Sequence, residues 1–197
     1  MTRLIVGPFN RVEGDLEVKL EIAAGRVKKA SVVSTLYRGF ERMLVGKVPD
    51  DALVYAPRIC GICSVSQSVA AAKALAAAAG LPASHNGAIA INIIHAAENV
   101  AAHLTHFSLF FMPDFARQAY SGEPWHETVV ERFKAVTGAA TRDVRPARAQ
   151  FMHIMGLLAG KWPHTLSIQP GGTTRSASPN ELARLSAILA GFRRFLQ

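Results

Sequence analysis

The chain has 197 residues, half of them apolar and 18% charged, which suits one sizeable core and excludes a disordered polypeptide. Its net charge of +8 comes from scattered basic residues, with Lys28-Lys29 and Arg193-Arg194 the only adjacent pairs and no interleaved aromatic stripe, so a nucleic-acid surface is not the expected reading. Two cysteines in one short stretch exclude a secreted disulfide scaffold. No apolar window reaches signal-peptide or membrane-spanning form, so a soluble chain in the reducing cytoplasm is expected, with no transmembrane segment.

In chain order, residues 3–6 read as a short strand. Leu16, Val18, Leu20 and Ile22 alternate with charged residues and predict a half-buried strand. Ala24-Gly25 turns the chain, and Val27 to Tyr37 returns as a second strand, giving an antiparallel hairpin. A short helix follows Tyr37 and ends near Gly46. A second, at 51–56, should be capped by Asp50 or Asp51 and stopped by Pro57.

Residues 63–79 are rich in alanine and predict a closely packed helix ended by Gly80-Leu81-Pro82. A long helix from Ser84 to about Met112 is apolar on most sides and reads as a buried central element. Residues 114–126 read as a loop with a helical turn. A helix over about 127–159 should be split near Gly138 and Pro146. A last helix, 181–197, should be capped by Asn180. The expected fold class is α+β: mainly helical, an incomplete bundle with long central helices and a small N-terminal antiparallel hairpin or sheet. The stretches are 1–37 (β-rich), 38–62 (short helices and a cysteine loop) and 63–197 (helical).

The chemistry concentrates in Arg58-Ile59-Cys60-Gly61-Ile62-Cys63. Two thiols at i and i+3 can bind one metal, and Gly61 should let the backbone turn both sulfurs to one point. Arg58 and the following helix start should favour the thiolate, the ligating form. A zinc site would need two further ligands, a thioredoxin-like pair would need a preceding strand, and two inert buried thiols are the plain alternative. His103 and His106 share a helix face with His95 nearby, and buried histidines hydrogen-bonded to carbonyls are a stronger reading of them than metal ligation. Ser167 to Gly172 lacks the lysine of a phosphate-binding loop.

Several segments, in order, resemble the large subunit of nickel–iron hydrogenases. They are Arg11-Val12-Glu13-Gly14, Arg38-Gly39-Phe40-Glu41, the cysteine motif, His103-Leu104-Thr105-His106-Phe107, and Gly160-Lys161-Trp162-Pro163-His164 followed by Pro170-Gly171-Gly172. The resemblance implies a nickel–iron centre, with Cys60 a terminal nickel ligand and Cys63 a bridge between nickel and iron. It implies Glu13 as the group that takes a proton from a nickel-bound cysteine, and Glu41 as a ligand of structural magnesium. H₂ is then the small-molecule ligand, an iron–sulfur small subunit the partner, and His164 would face that subunit's cluster.

Departures narrow the resemblance. Gln67 stands where the family commonly has histidine, Ala102 where many members have aspartate, and Asp15 where many have histidine. Gln67 and Ala102 resemble the hydrogen-sensing and cytosolic uptake branch, with sensing favoured by Gln67. No cysteine follows Cys63, whereas the family has a second C-x-x-C near its C-terminus. The chain is therefore expected to be the N-terminal portion of a large subunit, needing the remainder to complete the site. Two other readings are a non-catalytic hydrogenase-like subunit of an electron-transfer complex, and an unrelated α-rich zinc or thiol-redox protein.

Overall fold

The computed structural model describes residues 2–7 and 15–197, apart from the side chain of Glu41. It divides into two compact units, Met1–Met43 and Leu44–Gln197.

The first unit is the expected small antiparallel sheet, three-stranded in the order β1 (Thr2–Val6), β2 (Leu16–Ala23), β3 (Arg26–Ser34). Ala24 and Gly25 both take positive φ, +52° and +69°, as a two-residue turn between right-twisted strands requires. A bulge at Glu21/Ile22 offsets the β2–β3 register beside that turn. The alternating pattern of β2 does not give one buried face: every residue in it is half-buried, and β1 is exposed throughout. The short α1 (Phe40–Met43) ends the unit.

The second unit is helical. A 3₁₀ turn (Pro49–Asp51), α2 (Ala52–Tyr55) and a second 3₁₀ turn (Ala56–Arg58) lead into the cysteine loop. Neither Asp50 nor Asp51 supplies the expected side-chain cap, because the chain enters through Val48-Pro49 with no capping side chain. α3 (Ser64–Ala78) runs from the loop. It ends where Gly80 turns left-handed (φ +64°) and the Leu81 N–H reaches back to the Ala76 carbonyl.

α4 (His85–His106) is capped by the Ser84 hydroxyl, which accepts from the Gly87 N–H. It buries one stripe, Gly87, Ile91, Ile94, Ala97, Glu98 and Ala101, and is not enclosed on most sides as its composition suggested; Ile89 and Val100 are exposed. After His106 the helix widens into a π turn (Phe107–Phe111) and then a 3₁₀ turn (Met112–Ala116), so the element expected to reach Met112 as one α-helix changes form first. An edge-and-tilt cluster of Phe111, Phe115, Tyr120 and Trp125 organises the segment beyond it.

The predicted 127–159 helix is three: α5 (His126–Phe133), α6 (Ala139–Phe151) and α7 (His153–Ala159). Gly138 marks the first break as expected, but Pro146 lies inside α6 and the second break falls at Met152. A tiny hairpin, β4 (Ile168–Gln169) and β5 (Gly172–Thr173), precedes α8 (Pro179–Leu196). The α8 cap is Ser178, not Asn180. Ser178 and Glu181 form a capping box with Pro179 at the first position, and these bonds with Arg175 hold the Glu181 carboxyl down at about 2.

One core joins α3, α4, α6, α7, β4 and α8, with Phe151 and Phe192 stacked at 4.1 Å between ring centroids. A close backbone approach occurs where the β4–β5 hairpin meets the start of α4. A Cβ on Gly87 would lie 2.6 Å from the Ser84 hydroxyl oxygen and 2.8 Å from the Gly172 Cα. Gly87→Ala is therefore expected to destabilise the chain by about 1–3 kcal/mol through overpacking. Thermal denaturation measures this, and an unchanged midpoint would mean the hairpin does not rest on α4.

Candidate functional site

Cys60 and Cys63 lie in the loop between Arg58 and α3, both free and both half-buried. Cys63 is itself the N-cap of α3 and offers no side-chain cap, so the amino end of that helix must find acceptors elsewhere. It finds them in Glu98 of α4. The Glu98 carboxylate accepts from the backbone N–H groups of Val65 and Ser66, both at 2.9 Å, and from the Ser66 and Ser64 hydroxyls at 3.2 and 3.4 Å. Trp162 adds its indole N–H at 3.0 Å.

A second clamp comes from the Gly160–His164 stretch. His164 Nδ1 is 2.8 Å from the Pro57 carbonyl oxygen, and the His164 backbone N–H donates to the Ser64 hydroxyl at 3.3 Å. The imidazole lies beside the loop, 3.8 Å from where a Cβ on Gly61 would sit. His95 touches the same network through Nε2, 3.0 Å from the Ser66 hydroxyl. Over the Trp162 ring, the Arg148 guanidinium carbon stands 5.1 Å from the centroid.

The thiols differ from expectation in two ways. Arg58 turns away and donates its guanidinium to the Val54 carbonyl. The Cys63 thiol is raised above the ordinary 9.0, first by burial, then by its hydrogen bond with the Cys60 thiol, and further by the charges of Cys60 and Glu98. Only the Gln67 side-chain amide, 3.8 Å from the Cys63 sulfur, pulls it down. Nor does Gly61 take a left-handed φ, and a Cβ there would meet only ordinary contacts, so the loop does not depend on glycine at that position.

Two thiols close enough to share a hydrogen bond make one edge of a soft-metal site. Among the described residues no group of three or more His, Cys, Asp or Glu converges on a point, so the pair does not form a closed zinc cage. His103 and His106 are exposed rather than core histidines, and His106 stacks on Phe110. Glu13 lies outside the described residues, and so does the side chain of Glu41, whose backbone belongs to α1. Among the described helices none is long and apolar enough to cross a membrane.

Glu98 and Trp162 carry the loop's support without having drawn notice in the sequence as a pair. The available signal was a lone carboxylate in an apolar helix stripe, which must be buried against donors if the stripe is buried.

The family described as nickel-dependent hydrogenase matches residues 38–118, which include the cysteine loop and α4. The vhc F420-non-reducing hydrogenase chain of Methanococcus voltae is 39% identical over 58% of this chain and 24% of its own length. The periplasmic [NiFeSe] hydrogenase large subunit of Desulfomicrobium baculatum is 25% identical over 98% of the chain and 40% of its own. In structure, the Ni-Fe-Se hydrogenase of D. vulgaris Hildenborough in its reduced state superposes with a TM-score of 0.77 at 26% identity, over 99% of this chain and 42% of that one. The chain thus spans about two-fifths, or less, of the length of these relatives.

In the metal-free chain, alkylation of Cys63 is expected to show a pH midpoint above 9.0, because burial and both neighbouring charges oppose the reactive thiolate. Gln67→Leu should move that midpoint higher by removing the one stabilising contact. A midpoint at or below the ordinary thiol value, read by peptide mapping, would contradict this electrostatic account.

Proposed function

A homologue of the large subunits of nickel-dependent hydrogenases, this chain supplies, we propose, two of the thiolates that hold a nickel–iron centre. The observation that carries the reading is the Cys60–Cys63 pair, clamped from α4 and from the Trp162–His164 stretch within a fold shared with the Ni-Fe-Se hydrogenase. The remaining thiolates and the rest of the fold come from further large-subunit polypeptide. A nickel–iron centre held there would supply the chemistry of H₂ oxidation to two protons and two electrons, with an iron–sulfur small subunit as electron acceptor.

The residues of this chain divide the work by chemistry. Cys60 serves as a terminal nickel ligand. Cys63 would serve both nickel and iron, which suits a thiolate with lone pairs for two soft metals. Glu13 receives the proton leaving the site and relays it outward as a general base. Glu41 gives a carboxylate oxygen to magnesium, a hard ion that prefers such ligands. His164 lies on the side facing the small subunit.

Within this activity we favour hydrogen sensing over uptake. Gln67 supports that choice: its amide reaches the Cys63 sulfur at 3.8 Å, where it can donate a hydrogen bond but cannot take up a proton near neutral pH. Two free thiols suit a reducing, cytoplasmic setting.

The test is Cys63→Ser in the complete assembly. Changes one shell removed from a metal already cost roughly 10–100-fold, so loss of a bridging ligand is expected to lower H₂-dependent activity or signalling by at least that much and to deplete nickel. Activity that survives unchanged would refute the assignment. The chain by itself should hold no stable nickel–iron centre, and stoichiometric nickel on the isolated polypeptide would contradict that.

A further inference from the structure

Glu98 has no part in the ligand set proposed above, yet no other charged side chain among the described residues is so deeply buried, at 3% exposed. Every group that touches its carboxylate is a donor: two backbone N–H groups of the first turn of α3, one indole N–H and two hydroxyls. An ionised carboxylate satisfies all of them, because it only accepts. A carboxamide of the same size cannot. Either way round, its NH₂ faces a backbone N–H, that of Val65 or that of Ser66.

The turn that Glu98 holds begins at Cys63, so the carboxylate sets the direction in which the Cys63 thiol leaves the helix. The other side of the loop is fixed separately, at Pro57, by His164. We infer that Glu98 is a positioning residue for the thiol pair: it holds Cys63 in register with Cys60 so that both sulfurs meet one metal. This rests on the reading of Cys60 and Cys63 as a metal-ligating pair. The competing account is a helix cap that adds stability and nothing else.

Cobalt(II) titration of the full chain under anaerobic conditions separates the two, since a thiolate-to-cobalt charge-transfer band reports ligation without any turnover. Cys60→Ser and Cys63→Ser identify the band. Glu98→Gln is expected to weaken cobalt binding by about tenfold, as loss of a metal site's outer partners does. Ile154→Ala, in α7 and 1% exposed, is the stability control: it should lower the melting temperature but leave cobalt affinity within about twofold, since Ile154 has no part in the hydrogen bonds that hold the loop. Trp162→Phe removes one donor and keeps the carboxylate, and should weaken binding by a smaller factor; it serves if Glu98→Gln does not fold.

Cobalt affinity equal to wild type in Glu98→Gln, or a loss matched by Ile154→Ala, would overturn the inference. A wild-type chain without a thiolate band needs the remaining large-subunit ligands to hold a metal, as the proposed function has it. The position of the loop is then read from the ratio of Cys63 to Cys60 alkylation at fixed pH. A ratio changed by Glu98→Gln and not by Ile154→Ala supports Glu98 as the positioning group, and an unchanged ratio refutes it.

Discussion

The cysteine loop depends on a carboxylate buried at the amino end of a helix. α3 starts at Cys63 without a side-chain cap, and the Glu98 oxygens take up the donors its first turn would leave unpaired. Burying a carboxylate is costly unless hydrogen bonds replace its water, and here backbone, hydroxyl and indole donors do so. The positive end of the α3 dipole adds to the balance. One side chain thereby ties three separated parts of the chain together: the loop, α4, and the Trp162 segment.

That tie explains what was legible in the sequence and what was not. Period-2 alternation, glycine and proline breaks, and alanine content located β2, β3, α3, the start of α4 and the break at Gly138. Cys60 and Cys63 were visible from spacing alone. The support of the loop was not, because it comes from residues 34, 64 and 107 positions away from their partners. A lone glutamate in an apolar stripe reads locally as an interruption; only the packing of α3 against α4 turns it into a cap. The errors at Pro146 and at Asn180 have a similar origin. Local punctuation was weighed by residue type, whereas α6 continues through its proline and α8 takes the serine whose partner glutamate lies three positions on.

α4 shows the same limit from another side. Composition suggested enclosure, but the buried stripe is narrow, and Ile89, Val100, Phe107, Phe110 and Phe111 remain exposed. Periodicity gives which face is most apolar and not how much neighbouring chain covers the others. The relatives' greater length matters here. About three-fifths of the superposed Ni-Fe-Se hydrogenase chain has no counterpart in these 197 residues. A helix sequence suited to burial on several sides is intelligible in a fold that carries that additional chain.

The same carboxylate that orders the loop also adds, after burial and the Cys60 thiol, to the rise of the Cys63 thiol. A helix start next to Cys63 should stabilise a thiolate, but Glu98 already occupies the donors that create that potential, and its own charge raises the Cys63 thiol further. Arg58, the other expected source of positive potential, is engaged with a backbone carbonyl. Burial and these charges therefore favour the thiol form of Cys63, and a metal binding there would have to displace its proton. Geometry and charge thus oppose one another at Cys63: the group that aims the sulfur also disfavours its anion. A cation at the thiols would reconcile the two, because its charge would compensate the thiolate and the buried carboxylate together.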